Sequence, residues 1–216
     1  MAVNLFTGNV IAVIWDFDQT LIPGYQQRPL FRAYGVDEGQ FWDEVDHLGA
    51  YYSDAGLQVS QETLYLNHLL TYVKAGKFAG LSNARLRELG AELSFYPGMP
   101  EFMVGATKEV ESDDRFVHHN VRVEHYVVST GLRQMIIGSQ IHGHVKDVWA
   151  CEFIEEAAPP GYREGGVQGS LSQNGEISQV GYFVDNTTKT RAIWEINKGV
   201  NVDPKIGVND LIATED

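Results

Sequence analysis

One short segment near the N-terminus constrains the fold of this 216-residue chain more than any other. The residues from Val10 to Trp15 are all apolar and mostly β-branched, and Asp16 and Asp18 follow almost directly. A run of this kind is typical of a strand that is buried on both faces, as in a parallel sheet. We therefore expect an α/β fold whose first strand ends beside a pair of carboxylates.

The remainder of the chain predicts helices that alternate with further strands. From about residue 29 to residue 93, apolar residues recur at helical spacing, and no strand pattern interrupts them. The alternation is typical of a parallel α/β sheet. We therefore predict a core of residues 1–22 and 95–216, interrupted by a helical insertion at residues 23–94. The later predicted elements are strands at 121–128, 147–154 and 180–184, and helices at 100–110, 131–141 and 187–197.

The charge of the chain argues against several classes of partner. Its formal net charge is −13 and its isoelectric point is about 4.9, so its electrostatics favour neither nucleic acids nor anionic membrane surfaces. No segment approaches the roughly 18 apolar residues of a membrane span, and no N-terminal targeting signal is recognisable. The lone Cys151 favours a reducing compartment and a place in the core. The sequence therefore predicts a cytoplasmic protein without nucleic-acid or membrane partners.

The segment Asp16-Phe17-Asp18-Gln19-Thr20-Leu21 has a pattern suited to phosphoryl transfer. Two carboxylates this close after a buried strand need a cation or a shared proton. Mg²⁺ prefers such an oxygen environment together with water and a substrate phosphate. One aspartate can attack phosphorus, and the other can protonate the leaving oxygen and then deprotonate water. The alternative is a turn in which both aspartates only cap backbone amides.

Two further groups follow predicted strands later in the chain. Ser129 stands at the end of the second predicted strand, where a hydroxyl and nearby amides can hold a phosphate oxygen; an ordinary helix N-cap is the alternative. Lys189 stands near the start of a predicted helix, where its ammonium can neutralise a transferring phosphoryl group. A solvated surface lysine is the alternative, and Arg191 is a second choice for the same role.

The three segments together resemble the motifs of the haloacid dehalogenase-like (HAD) superfamily. The first motif of that superfamily is Asp-x-Asp-x-Thr/Val-Leu/Val, which Asp16 to Leu21 match. The resemblance implies that Asp16 is the nucleophile and that Asp18 is the general acid and base and also lends its backbone carbonyl to Mg²⁺. It further implies that Ser129 is the second motif and Lys189 the third. The phosphate-binding residues implied in this way are Ser129, Thr130, Gly131 and Lys189, and the metal ligands are Asp16 and Asp18.

The same resemblance implies a fold and a reaction. The fold is a Rossmann-like parallel sheet with an inserted helical cap, and Tyr96-Pro97-Gly98 resembles the return from cap to core in phosphoserine phosphatase-like members. The true dehalogenases lack the second aspartate, so its presence favours phosphate over carbon–halogen chemistry. The implied function is a Mg²⁺-dependent phosphomonoesterase that acts on a small phosphorylated metabolite through an aspartyl phosphate on Asp16.

The fourth motif of the superfamily, a strand followed by acidic metal ligands, has no convincing match. The nearest segment is Gly207-Val208-Asn209-Asp210. We expect that the chain ends before the true motif; alternatively, Asp210 is a degenerate ligand, or the site is inactive. Two other functions therefore remain open at this point. One is a binding protein with no catalytic activity on the same fold, and the other is a phosphotransferase that passes the phosphoryl group to an acceptor other than water.

Overall fold

The computed structural model describes residues 9–162 and 175–199. Within these residues, four strands form one sheet: β1 (Val10–Trp15), β2 (Arg122–Leu132), β3 (Asp147–Ile154) and β4 (Gln179–Tyr182). The strands lie in the order β1-β2-β3-β4. The first three are mutually parallel, whereas β4 runs antiparallel to β3. The predicted α/β fold with a largely parallel sheet is therefore confirmed.

Helices account for most of the remaining described chain. Four of them occupy the stretch between β1 and β2 where helical periodicity was predicted: α1 (Arg28–Tyr34), α2 (Glu38–Asp54), α3 (Gln61–Lys74) and α4 (Asn83–Gly90). Two more helices also precede β2: α5 (Glu101–Glu111) and α6 (Asp114–Val117). Between β2 and β3 lie α7 (Arg133–Gly138) and a 3₁₀ helix (Gln140–His144), and α8 (Lys189–Lys198) follows β4. No helix among residues 9–162 and 175–199 is long and apolar enough to span a bilayer.

The prediction that β1 is buried on both faces is wrong. Val10 and Ile11 are 43% and 44% exposed, and Ala12 is exposed as well. The reason is the position of the strand, because β1 pairs with β2 and is the edge strand of the described sheet. A continuous apolar run indicates a strand in a hydrophobic setting, but it does not indicate how many neighbours cover that strand.

The junction after the second strand also differs from the prediction. The strand was expected to end near residue 128 and a helix to begin at residue 131. Instead β2 continues to Leu132, which pairs with Cys151 after a register shift that begins at Val128. The helix α7 begins only at Arg133, and neither Ser129 nor Thr130 caps it, since Leu132 occupies its N-cap position. Pairing with β3 thus overrides the local helix signal.

Helices α1, α2, α3 and α4 pack directly on one face of the sheet. A single buried cluster joins apolar residues of α1, α2, α3 and α4 to residues of β2 and β3 such as Val128 and Trp149. Helix α4 also approaches α7 very closely: a Cβ added to Gly138 would lie 2.0 Å from the carbonyl oxygen of Arg87. Cys151 lies inside this cluster with 1% exposure, as predicted, and burial raises the pKa of its thiol. The division into cap and core remains a prediction.

Candidate active site

A cleft of about 290 Å³ opens beside the carboxyl ends of β1 and β2, which is where parallel sheets gather their functional groups. Some lining residues lie at the end of a strand, follow one or begin α8; we call them the sheet wall: Asp16, Asp18, Thr130, Asn186 and Lys189. The others come from the chain between β1 and β2; we call them the helical wall: Tyr25, Gln27, Trp42, Glu62 and Tyr65. A larger groove of about 470 Å³ runs along α5, but it contains none of these residues.

Asp16 lies directly after β1, and 46% of its side chain is exposed. Its Oδ1 accepts hydrogen bonds from the backbone N–H of Phe17 and from the Nζ of Lys189, each at 2.9 Å. Its Oδ2 has no hydrogen-bond partner in the described part of the chain. Two donors therefore fix the carboxylate while one oxygen stays available, as a nucleophilic carboxylate requires.

Asp18 lies deeper in the cleft, in a very different environment. Its Oδ1 accepts the backbone N–H of Gln26 at 2.8 Å, and its Oδ2 accepts the Nε2 of Gln26 at 3.3 Å. Burial raises the pKa of Asp18 from 3.8 to about 6, although the hydrogen bonds from Gln26 and the charge of Lys189 act in the opposite direction. A carboxyl group with a pKa near neutrality can both donate and accept a proton at physiological pH.

Gln26 connects the two motif segments, and sequence reasoning missed it. It is fully buried, and besides its bonds to Asp18 its Oε1 accepts the backbone N–H of Leu132 at 3.0 Å. The chain returns to this place because Gln19 adopts a left-handed conformation (φ 59°) and donates its backbone N–H to the carbonyl of Gly24 at 3.2 Å. Such a conformation is costly for a residue with a side chain and is concentrated at functional sites.

The second-motif residues occupy three different positions relative to the cleft. Thr130 lines the cleft, and its carbonyl oxygen accepts a hydrogen bond from the hydroxyl of Tyr65. Ser129 is not a lining residue; it is 1% exposed, and its Oγ accepts the backbone N–H of Gly131 at 3.0 Å. Gly131 packs against Gln26. The residue of this segment that lines the cleft is therefore Thr130, while the role predicted for Ser129 remains a prediction.

Lys189 is the first residue of α8, and its Nζ reaches Asp16 from 173 positions along the chain. A cation at a helix N-terminus opposes the helix dipole, and Asp16 supplies the anion that offsets this cost. The preceding turn is held by a reciprocal pair, in which Asp185 N–H donates to Thr188 Oγ1 at 2.7 Å and Thr188 N–H donates to Asp185 Oδ1 at 2.5 Å. Arg191, the second choice from sequence, instead binds a buried glutamate of the same helix.

The helical wall was not predicted from the sequence. Trp42 lies between Tyr25 and Tyr65, with ring centroids 6.2 Å and 5.9 Å away. The Nε1 of Trp42 and the Oε1 of Gln27 are both buried and have no partner in the described chain. Since buried polar groups are nearly always hydrogen-bonded, an orphaned donor and acceptor beside a cleft indicate a binding surface.

The donor set fits Mg²⁺ in part. Asp16 offers a carboxylate, whereas both carboxylate oxygens of Asp18 are engaged by Gln26, so Asp18 is suited to contribute its main-chain carbonyl. No group of three or more His, Cys, Asp or Glu residues within the described ranges could hold a metal ion. Mg²⁺ commonly takes only one or two protein carboxylates and completes its shell with water and phosphate. Asp210 lies outside the described residues.

Comparison with known proteins identifies the fold. No family model matches the chain. An uncharacterized protein of Borreliella burgdorferi is 45% identical over 193 residues; the match covers 88% of this chain and 66% of that protein, so the chain spans about two thirds of its length. The crystal structure of a HAD family hydrolase from Salmonella enterica serovar Typhi matches with a TM-score of 0.50 at 12% identity. The chain has a HAD-like fold.

This match covers 94% of the chain and 54% of the Salmonella protein, so it extends over both the sheet and the helices that precede β2. The sequence resemblance rested on short motifs, whereas the structural likeness rests on the path of the backbone. A HAD-like fold is therefore supported by two observations of different kinds. At 12% identity, the likeness concerns the fold and carries no substrate with it.

Proposed function

We propose that this chain contains the site of a Mg²⁺-dependent phosphomonoesterase of the HAD superfamily, with Asp16 as the nucleophile. The observation that carries the proposal is the contact of 2.9 Å between Lys189 and Asp16, which unites the first and third motif segments. The raised pKa of Asp18 in the same cleft adds an acid–base group next to the nucleophile. The HAD-like fold supports the same reaction class.

In the first step, the free Oδ2 of Asp16 attacks the phosphorus of the ester. A bond forms between this oxygen and phosphorus as the bond to the alcohol oxygen breaks, and protonated Asp18 gives its proton to the departing oxygen. In the second step, the carboxylate of Asp18 takes a proton from water, and the resulting nucleophile attacks the aspartyl phosphate. Inorganic phosphate leaves, Asp16 regains its carboxylate, and Asp18 is protonated again.

Lys189 stabilises the negative charge of the phosphoryl group throughout this cycle. Its ammonium lies beside Asp16, where negative charge accumulates on the transferring group, and Thr130 lines the same cleft. Fixed donors aimed at developing charge are usually the largest source of catalysis in such sites. Mg²⁺, held by Asp16 and the main chain of Asp18, would supply further charge neutralisation for the phosphate when bound.

Substitution of the nucleophile tests the proposal. Asp16→Asn should lower kcat for p-nitrophenyl phosphate with Mg²⁺ by at least about a thousandfold, because no other described carboxylate has a free oxygen beside Lys189. Asp46→Asn, an exposed change on α2 with the same loss of charge, is the matched control and should keep full activity. Retention of activity by Asp16→Asn would exclude Asp16 as the nucleophile.

A binding protein without turnover is the second candidate, because the described residues hold no cluster of three acidic metal ligands. It predicts that phosphate esters bind equally well with and without Mg²⁺ and are recovered unchanged. A phosphotransferase would use the same aspartyl phosphate and is distinguished by transfer to added alcohols. Membership of the phosphoserine phosphatase-like subgroup remains a prediction from Tyr96-Pro97-Gly98.

A further inference from the structure

The helical wall contains an unpaired carboxylate. Glu62 lies in the first turn of α3 and lines the cleft. It makes no hydrogen bond or ion pair with any residue in the described ranges. Glu62 does not form a metal-binding group with Asp16 and Asp18, since no group of three or more His, Cys, Asp or Glu among the described residues could hold a metal ion. Glu62 is therefore available to a ligand group other than the phosphate and its metal.

An unsatisfied acceptor lies on the same wall. Gln27 is 4% exposed, and its Oε1 has no donor within the described chain. Leaving a buried acceptor unpaired costs more than a typical hydrogen bond returns, so a ligand with an N–H or O–H donor is favoured here. Glu62 and the Oε1 of Gln27 can thus both accept a hydrogen bond from a ligand, and the negative charge of Glu62 favours a donor that carries positive charge.

Aromatic rings complete this surface. Trp42 and Tyr65 have ring centroids 5.9 Å apart and are tilted by 42°, and Tyr25 flanks Trp42 on another side at 6.2 Å. The face of an aromatic ring attracts a cation, tryptophan most strongly. The unpartnered Nε1 of Trp42 also offers a donor to an ester or hydroxyl oxygen. A ligand with an ammonium group and a nearby oxygen satisfies every free group on the wall.

The cleft has no basic residue to spare for an anionic alcohol. Among the described residues that line it, Lys189 alone is basic, and Lys189 is engaged by Asp16. Carboxylate or second phosphate groups on the alcohol portion would therefore meet Glu62 without a compensating charge. The electrostatics of the helical wall favour a cationic leaving group over a neutral or anionic one.

We propose that Glu62, Gln27, Trp42 and Tyr65 form a subsite for a primary ammonium group on the alcohol portion of the substrate, so that the preferred substrates are phosphate monoesters of small amino alcohols. This inference rests on the proposed phosphatase function and deepens it. The ammonium group donates to Glu62 and Gln27 and lies against the aromatic rings, while the ester phosphate lies at the sheet wall. The released product is then a free amino alcohol together with inorganic phosphate.

The test compares two esters that differ in charge but hardly in shape. Ethanolamine phosphate and propyl phosphate present an ammonium and a methyl group at the same position. We expect kcat/KM for ethanolamine phosphate to exceed that for propyl phosphate by about tenfold or more. Calorimetric titration of Asp16→Asn protein with both esters, without Mg²⁺, should give the same order of affinity. Equal values for the two esters would overturn the subsite.

Two variants that each remove one negative charge test whether Glu62 causes the preference for ethanolamine phosphate. Glu62→Gln should reduce the preference for ethanolamine phosphate over propyl phosphate to within about threefold. Glu109→Gln, which removes one exposed negative charge from α5, should leave the preference intact. If p-nitrophenyl phosphate is hydrolysed but Glu62→Gln keeps the preference, the subsite is wrong and the phosphatase stands. If none of the three esters binds or is hydrolysed, both proposals are overturned.

Discussion

The two walls of the cleft differ in how their polar groups are satisfied. On the sheet wall, Asp16 is paired with Lys189 and Asp18 with Gln26, so its carboxylates already have partners. On the helical wall, Glu62 and the buried Oε1 of Gln27 have none in the described chain. Under the proposed functions, the groups positioned for chemistry are held by the protein itself, whereas the groups proposed to recognise a ligand are left for the ligand to satisfy.

The walls are nevertheless physically joined. Tyr65 of the helical wall donates its hydroxyl to the carbonyl of Thr130 on the sheet wall. Gln26, which stands next to Gln27 in the chain, holds the carboxylate of Asp18 and the backbone of Leu132. A change in one wall is therefore expected to reach the other. Three substitutions test the packing of the helices, the link through Gln26 and the sheet wall itself.

The largest effect is expected at the close contact between α4 and α7. Gly138→Ala should destabilise the protein by about 2–4 kcal/mol, because the new Cβ would lie 2.0 Å from a backbone oxygen of α4 that cannot move aside alone. Urea denaturation measures the change. Gly143→Ala, where a Cβ meets nothing within 4 Å, is the control. If Gly138→Ala is as stable as the control, α4 and α7 are not packed as closely as described.

The second effect tests the coupling at Gln26. In Gly131→Ala, the new Cβ would lie 1.8 Å from the Nε2 of Gln26, so Gln26 must move and release Asp18. We expect kcat for an alkyl phosphate to fall by about 10- to 100-fold with the fold retained. Gly105→Ala on α5 has open space and serves as the control. Unchanged kcat would show that Gln26 does not position the acid.

The smallest effect concerns the sheet wall alone and depends on pH. Since the folded state raises the pKa of Asp18 from 3.8 to about 6, it binds more protons than the unfolded state in that interval, and stability falls as the pH rises through it. Asp18→Asn removes the titrating group and therefore this loss of stability. Without metal, the variant should be more stable than the wild-type protein by about 2–3 kcal/mol at pH 7.5.

The difference should vanish below pH 4, where the wild-type carboxyl is protonated as well. Urea denaturation of both proteins across this pH range provides the measurement. A variant that is less stable than the wild type at every pH would show that ionised Asp18 is stabilised by its surroundings, contrary to its burial.

The charged residues of the sheet wall could be anticipated from the sequence because they belong to short patterns beside strands, whereas Asn186 was not predicted. Asp16 and Asp18 follow an apolar run, and Lys189 begins an amphipathic helix, so local sequence indicated each of them. Their order along the chain suggested that they converge, and the contact between Lys189 and Asp16 agrees with that. The α/β fold followed from the same alternation of strands and helices.

The helical wall and its link to the sheet could not be anticipated, because tertiary contacts create them. Gln26 and Gln27 are adjacent polar residues in a loop, and nothing local indicates that both become buried. Glu62 resembles any acidic residue in the first turn of a helix. Similarly, β2 extends past Ser129 only because Leu132 pairs with Cys151 on β3.

The central claim is that Asp16 receives the phosphoryl group, and rapid acid quench tests it most directly. Protein mixed with ethanolamine phosphate and Mg²⁺ is quenched within milliseconds, digested and analysed by tandem mass spectrometry. The account predicts a phosphorylated peptide that contains Asp16, with the label on that residue, and its absence from Asp16→Asn protein. Release of inorganic phosphate at full rate with no phosphorylated Asp16 at any quench time would contradict it.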